Sequence, residues 1–150
     1  MFNRIQSLLI IKPDGVARGL IGQIVTRFEQ KGFRLVGSKM VNATPDLLAK
    51  HYPEHFGKDY YPSIEKSMTA GPMFVFVLEG PDGTVEYIRK MLGATNPMKA
   101  DVGTIRGDLA IDYGHNVCHA SDSVEAAKRE ISVWFKEEEL AFYKNSIFTS

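Results

Sequence analysis

Two segments of this chain are apolar at nearly every position, and they constrain its fold more than anything else in it. Residues 5–11 read IQSLLII and residues 73–79 read MFVFVLE. Runs of that length suit strands better than helices, and apolar side chains on both faces mark each as central in a sheet. FRLVGSKMV at 33–41 supplies another strand, and NVCH at 116–119 a short strand edge.

Helical signals fall between them. Pro13, Asp14 and Gly15 end the first strand, because proline lacks a donor and Asp-Gly favours a turn. Leu20, Ile21, Ile24, Val25 and Phe28 recur at helical spacing over 20–31, and Gly32 stops that helix. Thr44 reads as an N-cap with Pro45 at the first helical position, opening a helix to about His51. Residues 52–71 are irregular or short helix. Residues 82–92 place Val85, Ile88 and Leu92 on one face. Residues 93–115 carry no sustained period, and a loop of that length is usually functional or disordered. Asp122 and Glu125 form a D-x-x-E capping box before a helix bearing Val124, Ala127, Ile131 and Trp134. The order β-α-β-(α)-β-α-β-α predicts one α+β domain over residues 1–150. It is a ferredoxin-like split βαβ sandwich, with a four-stranded antiparallel sheet and helices on one face.

With 44% hydrophobic residues in 150, such a domain needs no disulfide or structural metal to fold. Eighteen basic residues balance eighteen acidic ones, which argues against bulk nucleic-acid binding. The lone Cys118 suits a reducing compartment. No apolar run reaches a membrane span, and the start lacks a secretory pattern, so the expected location is the cytoplasm. Neither G-x-G-x-x-G after a strand nor a P-loop occurs, so any nucleotide is handled without a standard phosphate loop.

Polar residues of interest gather near strand ends and in the long loop. Lys12, Arg89, Thr95 and Arg106 offer N–H and O–H donors to phosphate oxygens. Asn116 suits a ribose hydroxyl or a bridging oxygen. His119 is a competent neutral nucleophile if an acceptor holds its other nitrogen, and Glu130, in the next helix, is a candidate for that. Taken singly, each reads as ordinary surface or turn chemistry; together they suit phosphoryl transfer, which asks for positioning and charge stabilisation. No protein-held metal site is expected. Pro53 interrupts His51 and His55, a strand would separate His115 from His119, and H-E-x-x-H is absent.

The long motifs are more specific. IIKPDGVARGLIG at 10–22, RFEQKGFRLV at 27–36, HYPEHFGKDYYPSI at 51–64, MLGATNP at 91–97, GTIRGD at 103–108 and NVCHASDS at 116–123 follow in order. Together they resemble the nucleoside diphosphate kinase family over nearly the whole chain. The resemblance implies a ping-pong kinase. His119 takes the γ-phosphoryl group from a nucleoside triphosphate, typically ATP, and passes it to a nucleoside diphosphate. It assigns Lys12 to phosphate and the sugar 3′-hydroxyl, Arg89, Thr95 and Arg106 to phosphate oxygens, and Asn116 to the sugar. Tyr52 and Ser121 lie near the histidine, and Glu130 fixes its tautomer. The base stacks on Tyr60 beside Ile64, with Tyr113 on its other side. Mg²⁺ arrives with the phosphates, and dimers build hexamers or sometimes tetramers; the full C-terminal segment resembles the longer, hexameric members, and residues 95–97 sit in the loop these use for trimer contacts.

Three residues depart from the family pattern. Tyr60 replaces a phenylalanine, and its hydroxyl is expected to remain in water. Tyr113 stands where a small aliphatic residue is common. Ala120 replaces the glycine after the histidine, at a cost only if its φ is positive. Activity is expected to survive all three. An RNA-binding module is the alternative for a split βαβ fold, but strand 5–11 lacks the aromatics of such readers. A family member kept only for interactions would have lost His119, Lys12 or an arginine, and all are present.

Overall fold

The computed structural model describes residues 4–143. Its four strands are β1 (Ile5–Ile11), β2 (Arg34–Val41), β3 (Met73–Gly80) and β4 (Cys118–Ala120). They form one sheet in the order β2-β3-β1-β4, with every pairing antiparallel. The two most apolar segments, β1 and β3, lie in the middle, as their lack of a polar face requires.

The sheet is covered on both faces rather than one. Leu9, Ile11, Phe76 and Leu78 pack with Ile24 and Phe28 of α2 (Ile21–Lys31) and with Ile88 and Leu92 of α5 (Thr84–Leu92). Leu8, Ile10, Val75 and Val77 pack on the other face with Leu48 of α3 (Pro45–His51), Met68 of α4 (Tyr61–Met68) and Trp134 of α7 (Val124–Trp134). The reason is the alternation of a strand. Successive residues point to opposite faces, so a strand apolar at every position must be covered twice.

Local signals differ from the expectations at three places. The Asp-Gly turn after β1 continues into a short helix, α1 (Pro13–Ala17), with Pro13 in its first turn, where a missing N–H costs nothing. The D-x-x-E capping box does not form. Ser123 is the N-cap of α7, and its Oγ accepts from Ala126 N–H at 3.0 Å. The loop at 93–115 contains α6 (Ile105–Leu109) and two single 3-10 turns. Thr44 caps α3 as expected, accepting from Leu47 N–H at 3.2 Å.

One end of the sheet holds a buried ion pair. Glu79 accepts from Arg34 Nη2 at 2.8 Å, from Arg4 at 3.2 Å and from Gln6 at 3.0 Å. The opposite end, where β1 runs into α1 beside β4, carries the convergent polar residues.

Candidate active site

His119 sits at the centre of β4, opposite Ile10 of β1. The alternation of β4 puts Cys118 and Ala120 into the core shared with α2 and α5, and leaves the imidazole facing α3 and α7. Its Nε2 lies 3.0 Å from Glu130 Oε1. A carboxylate only accepts, so Nε2 carries the proton and Nδ1 presents its lone pair. Glu130 is itself held. Ser121 Oγ donates to the same Oε1 at 2.9 Å and accepts from Leu8 N–H at 3.0 Å, which ties the orienting acid to β1. Burial raises the Glu130 carboxyl, opposed by neighbouring His51 and by the Ser121 bond.

The strand reaches this position through a strained turn. Val117 has φ 74° and is fully buried, and it is the only non-glycine residue with positive φ among those described. Cys118 N–H donates to Asn116 C=O at 2.8 Å across it, making a γ-turn of the rare positive-φ form. Such a β-branched residue costs of order 1–3 kcal/mol, a strain found mostly at functional sites. Val117 C=O accepts from Lys12 N–H at 2.8 Å, so the turn registers the end of β1 against the nucleophile. Ala120 has no positive φ, so its methyl brings no backbone strain.

Three cations surround the imidazole. Lys12 Nζ donates to Asn116 Oδ1 at 2.7 Å. Arg106 is almost wholly buried and donates to three backbone carbonyls, those of Asn116 at 3.3 Å, Gly93 at 3.2 Å and Cys118 at 2.6 Å. Arg89 donates to Ala120 C=O at 3.1 Å. Among the described residues none of the three has a carboxylate in ion-pair range. Carbonyls satisfy the N–H groups but leave the charge uncompensated, so the cleft is set up for an anion. The electrostatic consequences are large. Burial, then the Arg106 charge, lowers Lys12 to about 8. Burial, then Lys12, Arg106 and Arg89, lowers His119 to about 3, so the ring is neutral at physiological pH.

Lys12, Tyr52, Arg89, Thr95, Arg106, Asn116, His119 and Glu130 line one cleft of about 180 Å³. Thr95 C=O accepts from Asn116 Nδ2 at 3.3 Å. Ser121 lies fully buried beneath the acid. Three expected base contacts stand outside that lining. Ile64 is half-buried against the α3–α4–α7 core, while Tyr60 and Tyr113 are exposed. The Tyr60 hydroxyl, expected in water, lies 2.6 Å from His55 Nδ1. A larger hollow of about 680 Å³ lies between α1, α4 and Gly114–His115; its lining includes Lys66 but neither the histidine nor the arginines.

Five further residues lie near the nucleophile. Glu54, His55, Asp122 and Arg129 also line the cleft. His51 is fully buried, its ring edge-on to His119 at 4.6 Å between centroids. The helical spacing from buried Leu48 to His51 was the available signal. One nitrogen of His51, one of His119 and a Glu130 oxygen lie within 4.8 Å of one another, a set of metal-ligand type. Trp134 Nε1–H donates to His51 Nδ1 at 2.9 Å, however, so Nε2 carries the proton. A metal on that Nε2 would have to break the tryptophan bond. Burial, then the neighbouring His119, lowers His51 to about 3. Cys118 is buried and its thiol is pushed up to about 12, which leaves it no thiolate character. No helix among the described residues is long and apolar enough to cross a membrane.

The chain is similar to known proteins over most of its length. A family model described as nucleoside diphosphate kinase matches residues 6–140. A nucleoside diphosphate kinase of Eremothecium gossypii is 54% identical over 139 residues, covering 93% of this chain and 91% of that one. Its counterpart from Saccharomyces cerevisiae is 50% identical over 141 residues, covering 94% and 92%. The structure of a halophilic nucleoside diphosphate kinase from Halobacterium salinarum in complex with CDP superposes with a TM-score of 0.90. It is 40% identical and covers 97% of this chain and 95% of that one.

Proposed function

The chain belongs to the nucleoside diphosphate kinase family, and from that membership we propose how its own residues carry the reaction. The activity is transfer of the γ-phosphoryl group of a nucleoside triphosphate to a nucleoside diphosphate in two steps. In the first, His119 Nδ1 attacks the γ-phosphorus, the bond to the bridging oxygen breaks, and the diphosphate leaves. In the second, the terminal oxygen of another diphosphate takes the group back from Nδ1. Glu130 holds the Nε2 proton throughout and offsets the positive charge the ring gains when Nδ1 bonds to phosphorus. Arg89, Arg106 and Lys12 stabilise the transferring oxygens, the largest contribution to such reactions. Thr95 and Asn116 orient phosphate and sugar, Tyr52 flanks the imidazole, and Tyr60, Ile64 and Tyr113 receive the base.

The observation that carries this reading is a neutral histidine, with one nitrogen fixed by an acid, facing three cations that lack carboxylate partners. Mg²⁺ enters with the nucleotide. It is a hard cation that keeps its waters, and Glu54 and Asp122, which line the same cleft, fit contact with it through water rather than a closed cage. When bound it would supply positive charge that offsets the charge of the phosphate oxygens, beside that of Lys12, Arg89 and Arg106. A hexameric assembly and a cytoplasmic location are part of the same proposal; the exposed Met98, Val102 and Ile111 of the 93–115 loop support the assembly.

The test is transfer of label from γ-³²P ATP. Wild-type protein takes up label that resists alkali, is lost in acid and is chased into GTP by GDP, whereas His119→Ala takes up none. Absence of label on wild-type protein that still binds ATP would overturn the kinase reading.

A further inference from the structure

The Tyr60 hydroxyl lies 2.6 Å from Nδ1 of His55, an imidazole that lines the phosphate cleft. The Tyr60 and His55 rings have centroids 5.5 Å apart and planes crossed at 67°. His55 meets Tyr52 at 5.6 Å, and Tyr52 meets His119 edge-on at 6.1 Å. Four rings therefore run without a break from the nucleophile to Tyr60. A phenylalanine at position 60 could pack at the end of this row but could not be tied to it.

We propose that His55 is a positioning residue for the nucleotide base, holding Tyr60 by a hydrogen bond so that the tilt of the stacking surface is set before a nucleoside diphosphate arrives. This rests on the reading of Tyr60 as the base platform. An exposed tyrosine left free samples several rotamers, and a ligand stacking on it must order the ring as it binds. Tethering moves that cost from binding to folding. Stacking stays indifferent to the base, because the tether acts on the hydroxyl at the ring's edge and not on its face. Either protonation state of His55 preserves the bond. Neutral His55 accepts from the Tyr60 hydroxyl through Nδ1, and protonated His55 donates Nδ1–H to the phenolic oxygen. The groups facing it are Tyr52, Tyr60 and Glu54, whose Oε1 lies 3.6 Å from His55 Nε2.

The experiment measures kcat and KM for GDP, with saturating ATP, on the full-length protein. The variants are Tyr60→Phe, His55→Phe, their double variant and Tyr60→Ala. Tyr60→Phe and His55→Phe each raise KM by roughly threefold to tenfold, with a smaller change in kcat, and the double variant is no worse than either single one. Unchanged KM in the single variants, or effects that multiply in the double, would overturn the tether. Tyr60→Ala separates the two readings. A rise in KM on Tyr60→Ala without one on Tyr60→Phe leaves the platform standing and rejects the tether. No rise on Tyr60→Ala rejects the platform and the tether with it.

Discussion

His119 is nucleophilic because its two nitrogens have been given opposite jobs by neighbours from different parts of the chain. Glu130 takes the proton side, and burial, aided by the cations that await phosphate, keeps the ring neutral. Lys12 feels the same field and is the first of these groups to lose its charge as pH rises, near 8. The cation is the form that binds phosphate, so kcat/KM for the triphosphate, which reports the free enzyme, falls above about pH 8. In Lys12→Arg the fall disappears below pH ~10, because a guanidinium stays charged there; a limb that persists in that variant would assign it to another group. The residue types of this site were legible, since Lys12, Arg89, Arg106, Asn116, His119 and Glu130 carry their chemistry in their side chains. What could not be read was backbone. No sequence rule places buried Val117 at positive φ, because a β-branched side chain is the last that local preference would choose there.

At the scale of elements, the nucleophile depends on a close approach between α1 and the γ-turn. A Cβ on Gly15 would sit 2.8 Å from Ile11 Cγ2, 2.9 Å from Val117 Cγ1 and 3.2 Å from Val117 C=O. Gly15→Ala therefore pushes the turn that carries His119. It lowers stability by about 1–3 kcal/mol in urea unfolding and reduces kcat by more than KM changes. Wild-type kcat in a destabilised Gly15→Ala protein would show that the turn tolerates displacement. Strands and long helices were legible because their periodicity runs over many residues, as in β1, β3 and α2. Short features were not. α1 arises from tertiary support of an Asp-Gly turn, and Ser123 rather than Asp122 caps α7, because both fit the local code and only the path of the chain out of β4 decides between them. The second covered face was implicit in the apolar alternation of β1, and only an assumed layer order hid it.

At the scale of the molecule, two histidines are kept neutral, His51 in the core and His119 against it in the cleft. Each is lowered from 6.5 to about 3, so between those values the unfolded chain binds more protons than the folded one. Stability is therefore full above about pH 6.5 and is lost as pH falls toward 3, by up to about 1.4 kcal/mol per pH unit for each imidazole. Urea midpoints measured from pH 7 to pH 4 should fall, and His51→Phe should make the slope shallower. An unchanged slope would show that His51 titrates alike in both states.

The joining of β1 to β4 also orders events in time. The lysine precedes its asparagine partner by 104 positions, and the serine that braces the acid reaches back 113 positions to β1. As the ribosome releases the chain, β1, β2 and β3 emerge well before β4 and α7, so a growing chain can bury much of its sheet while it still lacks a phosphate acceptor. Nascent protein thus cannot drain triphosphates, and the appearance of catalysis marks the docking of the last strand.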